Sequence, residues 1–261
     1  MAAALAHLLC AEPAPAQTAG PSGLAEPPIL AEAPVLAEAT DPAAGCRLAL
    51  ALGLDISSSV NSREYAIQLG GLANALRAPD IQEAMLTQSG EVWITVYEWS
   101  GWQQQDVILP WSPMRAQADV EAAALRLDAH RRVYEDFSTA LGRAMRYGAE
   151  LFRALPRRCD RQVIDLSGDG VNNDAETPTQ IRASGVLNGI TLNALVIDGA
   201  YPSPVEQYRD QVITGPGAFM LVARNGFDDY PDLIRGKLLR ELQPDMLIGR
   251  AERSRAPGTR R

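Results

Sequence analysis

A chain of 261 residues, 46 % of them hydrophobic, is long enough to bury one large core or two small ones. Its formal charge of −8 argues against nucleic acid as a partner, because phosphate binding needs clustered Lys and Arg. His7 and His130 are the only histidines, an inventory from which neither a zinc site nor a Ser-His-Asp triad is expected.

The first residues carry a short apolar run, Ala2 to Leu9, followed by Ala14-Pro15-Ala16, a small-x-small pattern of the kind signal peptidases cleave. Residues 1–16 are expected to be a secretory signal, short and without a leading Lys or Arg; an alanine-rich terminus is the competing reading. Residues 17–44 are rich in Pro, Ala and Glu without a sustained period and read as a linker. No other run reaches the roughly 18 apolar residues that a membrane span needs, so no transmembrane segment is expected.

From Leu48 to Leu54, seven apolar or small residues in a row read as a strand buried on both faces, as in the middle of a parallel sheet. The run leads into Asp55-Ile56-Ser57-Ser58-Ser59. One carboxylate and two hydroxyls thus stand at alternate positions at a strand's carboxyl end, where open α/β sheets bind ligands. Small, hard oxygen donors suit a divalent cation, but Asp and Ser are equally good caps for a following helix, and the motif alone does not choose.

Ser62 to Leu76 then shows helical apolar spacing, and Glu91 to Trp99 alternates as a strand does. Asp106 to Trp111 is another strand, with the turn of residues 100–105 completing a hairpin. Ala118 to Leu127 and Ser138 to Leu155 read as helices, the second opened by the hydroxyl pair Ser138-Thr139. Arg161 to Ser167 is strand-like and ends in Gly168-Asp169-Gly170, then Val171-Asn172-Asn173-Asp174; the two glycines allow a tight turn that aims Asp169 across the sheet edge. Thr177 to Leu187 is helical, Thr191 to Ile197 a buried strand, Val205 to Val212 a short helix, Ala218 to Val222 a last strand, and Phe227 to Leu242 a closing helix. Residues 244–261, with Arg250, Arg253, Arg255, Arg260 and Arg261, are expected to be a basic, solvated, disordered tail.

Strands alternating with helices, plus one early hairpin, predict a single doubly wound α/β domain over residues 45–243. Its central sheet is mostly parallel, with helices on both faces and one antiparallel edge strand. Asp55, Ser57, Ser59, Thr139 and Asp169 then come from three loops and offer five oxygens, enough for a magnesium shell with room for water or a partner's carboxylate.

These motifs, in this order, resemble the von Willebrand factor A domain and its metal-ion-dependent adhesion site. Asp55, Ser57 and Ser59 meet that family's Asp-x-Ser-x-Ser without substitution, and Asp169-Gly170 matches its third loop. Aligning Ala144-Met145 with the family's Ala-Leu puts Thr139, not Ser138, at the metal position; Phe137-Ser138 stand where many relatives carry glycines. The run Ile164 to Asn173 is closer still to an uncharacterised bacterial subfamily of such domains. The resemblance covers residues 45 to 243 and implies Mg²⁺ as cofactor, with Mn²⁺ or Ca²⁺ as alternatives, and a protein partner that offers a Glu or Asp to the metal.

In the fold so implied, the strands that end at Asp55 and Asp169 are direct neighbours. Cys46 and Cys159 precede these carboxylates by nine and ten residues and so sit together at the other end. Neighbouring strands lie about 4.8 Å apart and disulfides span Cα distances of about 4.4–6.8 Å, so a Cys46–Cys159 disulfide is expected. It would mean an oxidising compartment, periplasmic or secreted from a bacterium, in line with the signal segment.

Several other residues read as structural. Asp165 lies inside an apolar strand and is taken as a hydrogen-bonded buried carboxylate, with orientation of the metal loop as its alternative role. Trp93, Trp99, Trp102 and Trp111 cluster about the hairpin and are expected to pack in core and edge, the alternative being an exposed contact surface. Glu98 is a weak candidate for a charge near the metal face, and Asp198-Gly199 reads as a turn. The functional reading is a divalent-metal-dependent, adhesion-type protein-binding module of the bacterial cell envelope, not an enzyme. The alternative is a magnesium-dependent phosphohydrolase with Asp55 as nucleophile, which would need a nearby second acid and a lysine; the sole lysine, Lys237, is remote in sequence.

Overall fold

The computed structural model describes residues 45–243; the expected signal segment, linker and basic tail lie outside the described residues. Six strands make the sheet: β1 (Cys46–Asp55), β2 (Glu91–Trp99), β3 (Gln105–Met114), β4 (Cys159–Gly168), β5 (Ile190–Ile197) and β6 (Met220–Ala223). Their order is β3-β2-β1-β4-β5-β6, parallel throughout except for the hairpin edge strand β3. The expected doubly wound α/β sheet with one antiparallel edge is thus what forms. β1, the most continuously apolar segment, occupies the interior and is buried on both faces.

Alternate residues of β1 divide the core. Leu48, Leu50, Leu52 and Leu54 pack under α1 (Ser62–Arg77), α2 (Pro79–Leu86), α3 (Gln117–Ala129) and α7 (Tyr230–Leu242). Ala51 on the other face joins Tyr97, Trp99 and Leu166 beneath α4 (Leu141–Leu151), α5 (Pro178–Ala183) and the π-helical turn Tyr208–Val212 that follows the short α6 (Val205–Gln207). Period-2 side-chain alternation in β1 therefore feeds two separate helix layers.

At the amino end of the sheet Cys46 stands directly opposite Cys159, and the expected disulfide joins them across a Cα–Cα distance of 4.4 Å. Trp93, Trp99 and Trp111 pack in the core or at its edge as expected, whereas Trp102, in the hairpin turn, is 56 % exposed. Asp165 is buried against Lys237, with Nζ to Oδ1 at 2.6 Å, and Lys237 also meets Glu241 at 2.6 Å. Asp198-Gly199, read as a turn, lies in the loop that follows β5, with Gly199 at φ +141°.

Two expectations need correction, and one helix has no counterpart in the sequence reading. The helix predicted from Ser138 begins at Leu141, because Ser138 and Thr139 give their hydrogen bonds to another loop, as described below. The helix predicted over Thr177–Leu187 stops at Ala183, since Gly185 and Gly189 take positive φ and turn the chain. α2 went unpredicted: it is short, opens on Pro79 and buries only Ile81 and Met85.

Candidate metal centre

Asp55 is the last residue of β1 and is completely buried. The helix-cap reading of its motif fails on a specific point. α1 is capped by Asn61, whose side chain accepts from the N–H groups of Arg63 and Glu64, while Glu64 reciprocates on the Asn61 N–H. The oxygens of Asp55, Ser57 and Ser59 are left for other work.

They form a chain. Asp55 Oδ1 accepts from the Ser57 N–H at 2.7 Å, Ser57 Oγ lies 3.2 Å from Ser59 Oγ, and Ser59 Oγ donates to Asp169 Oδ1 at 2.6 Å. β1 and β4 are adjacent, with Leu54 opposite Ser167, so the two strand ends bring both carboxylates to the same edge. Thr139 joins them through the Gly168-Asp169-Gly170 turn, where a Cβ placed on Gly170 would lie 3.1 Å from its Oγ1. The five residues expected from sequence thus occupy one place at the carboxyl edge of the sheet.

Two long-range devices hold these loops, and sequence reasoning did not assign either. Arg132 donates to the carbonyls of Ile56, Ser57 and Val60 at 2.5, 3.1 and 2.7 Å and so clamps the first loop; nothing local sets this arginine apart from the many others. Asn173 accepts the Thr139 N–H through Oδ1 at 2.8 Å and returns its own N–H to the Thr139 carbonyl at 2.9 Å. Asn172 accepts from the Gly142 N–H, and Asp174 accepts from Ser138 Oγ at 2.6 Å and from the Trp102 N–H at 3.1 Å. The Asn-Asn-Asp run after Asp169 is therefore a splint for the Thr139 loop. Its polarity beyond a Gly-Asp-Gly turn was the one available signal.

The electrostatics of the site are those of carboxylates short of positive charge. Burial, then the charge of Asp169, pushes the Asp55 carboxyl up to about 7. Asp169 is raised by burial and by Glu64, with the Ser59 hydrogen bond opposing. Asp55 Oδ2 and the hydroxyl of Tyr208 are both buried without a hydrogen-bond partner, and a Cβ built on Gly168 would touch both. An all-oxygen donor set containing two carboxylates and an orphaned carboxylate oxygen fits a hard dication such as Mg²⁺ or Mn²⁺. Asp55, Ser57, Ser59, Thr139 and Asp169 are the residues that would hold it.

A second group of donors also emerges. The ligand atoms of Glu98, Asp106 and His130 all lie within 4.8 Å of one another. Two histidines in the whole chain give no sign of this cluster, because nothing local joins His130 to two carboxylates on neighbouring strands.

A family model described as a protein of unknown function, DUF1194, matches residues 45–246. Among solved structures, proximal thread matrix protein 1 from the mussel byssus is similar at 16 % identity and a TM-score of 0.54, over 76 % of this chain and 47 % of that one. A von Willebrand factor type A protein from Catenulispora acidiphila is similar at 16 % identity and a TM-score of 0.53, over 76 % and 43 %. The pilus adhesin SpaC from Lactobacillus rhamnosus GG is similar at 13 % identity and a TM-score of 0.54, over 76 % and 31 %. The chain spans less than half the length of these proteins. The mussel protein has also been solved with zinc in its metal-ion-dependent adhesion motif. No curated protein matches in sequence.

Proposed function

We propose that this chain, which belongs to the DUF1194 family of proteins of unknown function and has the von Willebrand factor A fold, is a metal-dependent protein-binding module. In this reading Asp55, Ser57, Ser59, Thr139 and Asp169 hold Mg²⁺ or Mn²⁺, and a Glu or Asp of a partner protein completes the shell. The observation that carries it is the continuous hydrogen-bonded chain from Asp55 through Ser57 and Ser59 to Asp169, beside a buried Asp55 oxygen that has no partner. Buried carboxylates that resist ionisation are an unfavourable arrangement unless a cation is supplied. With only two carboxylates among five donors, a bound dication keeps net positive charge and attracts an acid. The zinc-occupied motif of the mussel protein and the adhesin among the structural neighbours support the reading.

Binding is favoured over turnover by the place of the sole lysine. Lys237 is wholly buried between Asp165 and Glu241, so it does not serve a phosphoryl group at Asp55. The Cys46–Cys159 disulfide supports an oxidising compartment, the periplasm or the cell exterior.

Calorimetry with Mg²⁺ and Mn²⁺ tests the site. Saturable binding is expected, lost in both Asp55→Ala and Asp169→Ala while their circular dichroism matches the wild type; affinity unchanged in either variant refutes the assignment. Capture from envelope extracts then tests the role, since a partner should be retained with Mg²⁺ and released by chelator.

A further inference from the structure

We propose that Glu98, Asp106 and His130 form a second cation site, for a transition-metal dication such as Zn²⁺ or Mn²⁺, separate from the site at Asp55. Three elements build it. Glu98 is the penultimate residue of β2, Asp106 the second of β3, and His130 caps the end of α3. Glu98 and Asp106 are paired directly opposite each other in the antiparallel hairpin. Like charges in that position destabilise a sheet, a cost that a cation between them would offset.

The imidazole stands where that charge would be bound: His130 Nε2 lies 3.2 Å from Glu98 Oε2. Among the described residues, His130 is the only ion-pair partner of Glu98, a carboxylate with no exposed surface. Glu98 is also held rigidly, with Oε1 accepting from the Val133 N–H at 2.9 Å and Oε2 from the Tyr65 hydroxyl at 3.1 Å. Outer-shell hydrogen bonds of this kind fix a metal-ligating carboxylate in place. Asp106 and His130 are part-exposed, which leaves a path for an ion. One imidazole nitrogen with two carboxylate oxygens selects borderline metals over Ca²⁺, and three protein ligands leave further positions for water.

Such an ion would do structural work. His130 begins the segment that carries Arg132, the clamp on the first loop, and Phe137, whose carbonyl accepts from the Ser58 N–H at 2.8 Å. Joining α3 to the hairpin would stiffen that segment from its start.

The inference does not depend on the Asp55 site, and the test keeps the two apart. Zn²⁺ is titrated by calorimetry into metal-stripped Asp55→Ala protein, then into the same variant carrying His130→Gln or, separately, Asp106→Asn. One equivalent of Zn²⁺ is expected to bind Asp55→Ala, weakened at least tenfold by either added substitution, while Mg²⁺ binding to the single variant His130→Gln stays as in wild type. Zn²⁺ binding that is absent from Asp55→Ala, or that survives both His130→Gln and Asp106→Asn, overturns the proposal. Should one added substitution unfold the domain, the other decides.

Discussion

Ser59 donates a 2.6 Å hydrogen bond to Asp169 across 110 residues of chain, joining the end of β1 to the turn that follows β4. The hydroxyl is thereby committed to the carboxylate that the metal reading also uses. Ser59→Ala removes one donor and releases Asp169 from its partner. Mn²⁺ affinity, read by calorimetry, should fall at least about tenfold, on the scale seen when supporting hydrogen bonds at metal sites are lost. Ser59 is exposed, so the melting temperature of the metal-free protein should hardly move. An unchanged affinity would remove Ser59 from the site.

Gly168 answers a different question, namely how tightly the buried side of the site is packed. A Cβ at this position would collide with the Tyr208 hydroxyl and approach Asp55 Oδ2 to 3.0 Å and Trp99 to 3.3 Å. All three neighbours are fully buried and cannot retreat into solvent. Gly168→Ala should therefore cost about 1–3 kcal/mol in urea unfolding, as overpacking does. It should also displace Asp55 and lower metal affinity. Gly170→Ala, where the nearest atom is Thr139 Oγ1 at 3.1 Å, should disturb stability less. Equal stability effects at the two positions would show that the collision at Gly168 is relieved by backbone movement.

What the sequence disclosed and what it withheld divide along one physical line. Asp55, Ser57, Ser59 and Asp169 were legible because each sits where an apolar run stops, and the end of a parallel strand fixes its own position in space. Cys46 and Cys159 were legible once their strands were taken as neighbours. Arg132 and Asn173 were not, since their partners are backbone groups in loops far away in sequence, and one arginine or asparagine looks like another until the register is known. The helix start was misplaced for the same reason: Ser138 and Thr139 have the composition of a cap, and tertiary hydrogen bonds to Asp174 and Asn173 override it. His130 shows the same limit, because only the end of α3 brings it to Glu98.

Asp165 gives the fold a pH dependence of definite sign. Burial, then the nearby charge of Glu241, raises its carboxyl to about 7, and Lys237 only partly offsets this. A carboxyl raised above its unfolded value contributes stability that is full below the unfolded value of 3.8 and is lost as pH rises through about 7. Relative to Asp165→Asn, the wild type should therefore lose stability between about pH 4 and pH 7. By linkage the upper bound is about 4 kcal/mol for a shift of this size. Denaturant titrations of both proteins across that range measure the difference. A wild type that gains stability over Asp165→Asn as pH rises would mean that Lys237 controls this carboxylate instead.

Cys46 and Cys159 close a loop of 113 residues, so the bridge bears on stability as well as on compartment. In the chain-entropy account, a crosslink over so long a loop restricts the unfolded chain by about 4–5 kcal/mol, though native strain and residual structure often reduce the gain. Cys46 is buried, so a reductant should act on the bridge mainly when the domain opens. Two measurements follow. Denatured, unreduced protein purified from an oxidising compartment should show no titratable thiol from Cys46 or Cys159, and two such thiols would rule the bridge out. Cys46→Ser with Cys159→Ser should unfold at lower urea by about 2–5 kcal/mol yet bind Mn²⁺ as the wild type does, because the bridge lies at the end of the sheet opposite Asp55. If the double variant lost metal affinity while still folded, the two ends of β1 and β4 would have to be coupled through the strands themselves.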